Sequence, residues 1–109
     1  MEKLDTLLST GKLGKINYVD VEFREHWGGI FAAHPWLAGP HDSYLGYVEK
    51  GGGALCEHSH ALNLWQHISN VLGGGRPKII TSEQSFVNDG NVSFDDISLL
   101  NIRSENGIV

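Results

Sequence analysis

The chain has 109 residues, 40% of them apolar and 9% aromatic, with a net charge of −5 when histidine is neutral. That composition predicts a folded protein rather than a disordered one, and the acidic balance excludes the positive footprint that non-specific nucleic-acid binding needs. The length predicts a single domain over residues 1–109 with one apolar core, and no segment approaches the ~20 apolar residues of a membrane span.

The lone cysteine, Cys56, cannot form an intramolecular disulfide. The first residues, MEKLDTLLSTGKL, lack the apolar stretch of a signal peptide. Both observations predict a reducing, cytoplasmic setting. Glycine occurs 14 times, so turns must be numerous.

Taken in chain order, Glu2 to Leu8 predicts a short helix that ends near Ser9-Thr10-Gly11. From Lys15 to Arg24, Val19, Val21 and Phe23 alternate with Asp20, Glu22 and Arg24, the period of a strand with one wet face. A short strand fits Gly29 to Ala33, between the Gly28-Gly29 pair and Pro35. Gly39-Pro40-His41-Asp42 is a turn signal. Ser43 to Glu49 reads as another strand, with Tyr44, Gly46 and Val48 on one face and Leu45 and Tyr47 on the other.

Residues 54–72 give the strongest helical pattern. At 100° per residue, Ala54, Ala61, Trp65, Ile68 and Leu72 lie within about 40° of one another. Gly73-Gly74-Gly75 and Pro77 supply the stop. Ser59 is also a suitable N-cap, and a start there would leave His58 outside the helix. Lys78 to Val87 predicts a strand, Asp89-Gly90 a hairpin turn, and Val92 to Phe94 its return. Ile97 to Ile102 continues that return, although Asp95 to Leu100 also suits a helical turn.

These elements predict an α+β fold. An antiparallel sheet of about four to six strands packs against one main helix, about 54–72, with the short helix at the amino-terminus. The main helix has neither Lys nor Arg. Covering part of its second side with another copy of the chain would explain that, so a homodimer is expected.

The residues that could carry chemistry gather in the middle. All six histidines, all three tryptophans and Cys56 lie between His26 and His67. Protonating every histidine would carry the net charge to +1, so mild acid should change the charge state. On a strand, His58 and His60 would point the same way and could share a metal ion. On a helix they lie about 200° apart and could not. There, Cys56 and His60 would be one turn apart, and His67 would lie about 10 Å further along the axis. The same spacing suits histidines that simply border an apolar face.

Gly52 to His58, followed by His60, resembles the first motif of the cupins. Leu64 and Trp65 stand where that family has its acidic ligand, and no later segment supplies its second motif. The resemblance therefore implies no cupin activity. Cys56 beside His58 or His60 also has the composition of a thiol nucleophile and its base, or of a small cysteine packed among apolar neighbours. Gly51-Gly52-Gly53 and Gly73-Gly74-Gly75 match neither a phosphate loop nor a dinucleotide fingerprint, so no cofactor is expected.

Trp27, Trp36 and Tyr44, with His34 and His41 as polar groups, have the make-up of an apolar ligand pocket beside Cys56 and His60. The rings equally suit a core. The expected function is a non-enzymatic binding module for a small apolar ligand or a protein partner. The alternative is a small metal- or thiol-dependent enzyme using Cys56, His58 and His60.

Overall fold

The β-branched and aromatic residues of the last third pair as the sequence leads one to expect. In the computed structural model, which describes residues 1–24 and 28–109, strand β1 covers Pro77–Asp89 and strand β2 covers Val92–Ser104. They form a two-stranded antiparallel sheet. Gly90 and Asn91 make the turn, and Gly90 alone takes a positive φ there, +59°. A positive φ at the first central residue only is the mark of a type II′ hairpin turn, where glycine is favoured. Side chains tie the strands together as well. Ser93 donates to Asn88 at 2.8 Å, and Gln84 donates to Ser98 at 3.1 Å.

This hairpin is the whole sheet among the described residues, so the predicted four to six strands are corrected to two. Residues 15–24 belong to no sheet. A ladder-like pairing joins them to Val109, which accepts from the Val19 amide at 2.8 Å and donates to Asn17 at 3.1 Å. Alternation of side chains produces a strand only where a neighbouring backbone runs alongside to form a ladder.

Gly28–Ala33 is helix α2, not a strand. A short apolar run has no period of its own to choose between the two. Three 3-10 turns, Pro40–Asp42, Tyr44–Gly46 and Val48–Lys50, occupy the region where Ser43 to Glu49 predicted a strand. Ser43 accepts from the Leu45 amide at 3.2 Å, a local bond that competes with strand pairing. Tyr47 forms a parallel bridge to Ser93 of the hairpin.

The predicted main helix is divided. Helix α3 covers Ala54–Glu57, and α4 runs from His60 to Val71. His58, at φ −104° and ψ 42°, ends α3, and α4 begins directly after Ser59. The amino-terminal helix α1 covers Glu2–Ser9. The chain is thus α+β in class, with four helices, mostly short, and one hairpin among the described residues. None of these helices is long and apolar enough to cross a membrane.

Contacts group the chain into two compact units. The first comprises Met1–Glu22, His60–Thr81 and Leu100–Val109. In it α1 packs on α4, with Asp5 and His67 joined at 2.7 Å. Its buried apolar residues are Trp65, Ile102 and Ile108. Ser104 ties down the last residues through its bonds to the Ile108 backbone. Its amide donates to the Ile108 carbonyl at 2.9 Å, and its hydroxyl accepts from the Ile108 amide at 3.0 Å. Asn106 donates to the Gly73 carbonyl beyond the end of α4.

The second unit comprises Phe23–Ser59 and Ser82–Leu99. Leu45 and Phe94 are its buried apolar side chains, and Asp95 is buried with them at 1% exposure. That carboxylate organises the turn into α3. Its Oδ2 accepts from the Leu55 amide at 2.8 Å and from the Ser98 hydroxyl at 2.6 Å. Gly53, the N-cap of α3, has no side chain to do this itself, so the cap arrives from β2. Gly53 also takes φ +94°, and a Cβ there would run into Asp95 Oδ1. The close approach and the left-handed backbone both require glycine.

Candidate functional site

The exposed aromatic surface of the second unit starts at the end of α2. His34 Nδ1 lies 2.8 Å from the Ile30 carbonyl oxygen. A carbonyl only accepts, so Nδ1 is the donor of this bond. This bond fixes the imidazole, and Trp36 packs edge-on against it, with ring centroids 5.0 Å apart and planes at 81°. The backbone between them is set by a Leu37 amide bond to the His34 carbonyl at 2.9 Å. Trp36 is nevertheless 74% exposed. The indole touches His34 and still stands mostly in solvent.

The loop that follows closes on Asp42. Its Oδ2 accepts from the Ala38 amide at 2.8 Å, while Oδ1 lies 3.3 Å from His41 Nε2. The His41 carbonyl accepts from the Tyr47 hydroxyl at 3.3 Å. Lys50 places its ammonium 3.8 Å from the centre of the Tyr47 ring, within cation–π range.

Tyr44 reaches back to α3, and its hydroxyl donates to Glu57 Oε2 at 2.6 Å. That hydrogen bond, with slight burial and the Glu57 charge, holds the phenol above its ordinary range. Glu57 is followed by His58, whose ring stacks on Phe23 at 6.3 Å and 22°. Cys56 is a free, exposed thiol on α3.

Of the residues predicted to share a site, His34 and Trp36 meet directly. His41 turns to Asp42 and Tyr44 to Glu57, all within the second unit. Trp27 lies outside the described residues. Cys56 and His60 do not share a helix. The first is on α3 in the second unit, and the second opens α4 in the first. His67 pairs with Asp5 of α1, in the first unit. Among the described residues no three His, Cys, Asp or Glu side chains converge as metal ligands would.

The sequence reading did not single out Asp95, which has no recognisable motif. The available signal was indirect. A glycine at the head of a helix needs its amides satisfied from elsewhere, and an acid set directly after Phe94 in a strand is a candidate. As a whole the arrangement presents an exposed indole against an imidazole, and a phenol that donates to a carboxylate. Compared with known protein families, curated proteins and solved structures, the chain matches none of them.

Proposed function

We propose that this chain is a non-enzymatic binding module that engages a protein partner through Trp36. The observation that carries the reading is a tryptophan 74% exposed that packs edge-on against His34. A large aromatic left in water gains when a partner covers it, and tryptophan is a frequent anchor of protein interfaces. Small-molecule sites enclose most of their ligand within a concavity. An indole standing this far into solvent favours a protein surface over a small apolar ligand. The net charge of −5 favours a partner with basic character. The free, exposed thiol of Cys56 supports a reducing compartment, the cytoplasm.

The test compares the immobilised wild-type chain with Trp36→Ala in capture from cell extract. The retained protein is then purified and titrated by calorimetry. The expected result is a stoichiometric complex that the variant binds at least ~10-fold more weakly, as for an anchor residue. Equal affinity for both chains would overturn the reading. A variant with an unchanged unfolding midpoint excludes a folding artefact.

A further inference from the structure

The hairpin has an open side. Strand β1 pairs with β2 on one edge, and among the described residues no strand pairs with its other edge. A strand edge presents a row of amides and carbonyls ready to bond another strand, and a long apolar one is usually covered. All but one of the β1 residues are exposed. They include Ile79, Ile80 at 58%, Phe86 at 44%, and Val87.

The order of residues along β1 says what fits this edge. Ile79 and Ile80 precede Thr81, Ser82, Glu83, Gln84 and Ser85, and Phe86 and Val87 follow. The pattern reads the same in both directions about Glu83. Two copies of one strand that pair antiparallel are related by a two-fold axis normal to the sheet. That axis passes where a residue faces its own copy, so such pairing requires a sequence self-complementary about one residue. Centred on Glu83, Ile80 faces Phe86 of the second copy, and Ile79 faces Val87. Thr81 faces Ser85, and Ser82 faces Gln84. Centring on Ser82 would instead set Ile80 against Gln84, and centring on Gln84 would set it against Asn88.

We propose that the open edge of β1 pairs antiparallel with β1 of a second copy, with Glu83 at the two-fold axis, to make a four-stranded sheet across a homodimer. Apolar residues then meet apolar residues on both faces, and polar meet polar. The one unfavourable pair is Glu83 against its own copy, since like charges directly opposite are destabilising. The association is therefore weak and concentration-dependent. The proposal uses different residues from those around Trp36 and does not depend on that surface having a partner.

Sedimentation equilibrium of the purified chain over a wide concentration range tests it. The mass should rise from that of one chain toward twice that value. Glu83→Gln should tighten the dimer ~3- to 10-fold by removing the charge pair. Ile80→Lys should weaken it at least ~10-fold, because two Lys–Phe contacts replace two Ile–Phe contacts. Ile80→Lys combined with Phe86→Glu should restore it, because the register sets each lysine opposite a glutamate. Trp36→Ala should leave it unchanged. Circular dichroism is compared for every variant. A wild-type mass independent of concentration would overturn the proposal. So would a dimer indifferent to Ile80→Lys, or one that the paired substitution fails to restore while both variants keep the wild-type spectrum.

Discussion

Asp95 and Gly53 act as one device. The carboxylate supplies the cap that glycine lacks, and the absence of a Cβ lets the carboxylate approach. Gly53→Ala should destabilise the chain by about 2 kcal/mol, through the left-handed backbone and the collision with Oδ1. Asp95→Ala should cost about 2 kcal/mol through loss of two charge-assisted bonds. The effects of the two changes should fall short of adding, because removing the carboxylate also removes the collision. Urea midpoints of the two single variants and the double variant measure this, and strict additivity would contradict the shared device.

The Tyr44–Glu57 pair makes a prediction about pH. A phenol held above its ordinary range binds its proton more tightly in the folded chain than in the unfolded one. Its contribution to stability is therefore complete below the ordinary tyrosine value of 10.0 and is lost as pH rises through the raised one. Glu57→Gln removes the charge and changes the acceptor. In ultraviolet titration, the tyrosinate absorbance of one ring should move to lower pH in that variant. An unchanged titration curve would show that the bond does not control the phenol. Residue types were readable here, but partnerships were not. The sequence shows Tyr44 and Glu57 thirteen positions apart, and only folding brings their oxygens to 2.6 Å.

At the scale of elements, legibility followed the source of each element's stability. The hairpin was readable because its alternation, its β-branched residues and its glycine turn all act locally. Helix α1 was readable as well, but its docking was not. Asp5 and His67 join α1 to α4 across the first unit, with both side chains partly exposed. His67→Ala should therefore lower global stability by no more than about 1 kcal/mol, the range of solvent-screened pairs. It should speed amide exchange in α1 selectively, as expected for local loosening of a short helix. Exchange slowed or unchanged in α1 would mean that apolar packing alone holds it. The break between α3 and α4 shows the opposite case. The apolar face of residues 54–72 fits one helix, yet Ser59 suits a cap and the chain restarts there. Periodicity records which side chains share a face, and it does not record an interruption that leaves the period on both sides unchanged.

For the whole molecule, the expected sheet was too large because alternating side chains were counted as strands without knowing their neighbours. Asn17 and Val19 bond to Val109 outside any sheet, and the segment through Lys50 forms 3-10 turns. The cluster of histidines, tryptophans and Cys56 divides between two units, with His60 and His67 in one and His34, Trp36, His41 and Cys56 in the other. By itself the sequence determined the α+β class, the hairpin, the short first helix and the negative charge, because propensity, turn chemistry and charge are properties of residues and near neighbours. Tertiary structure decided that the sheet stops at two strands, that Asp95 is buried beneath α3, and that Trp36 stands in solvent against His34. Those outcomes depend on which distant segments supply bonds and cover, and no local pattern encodes that choice.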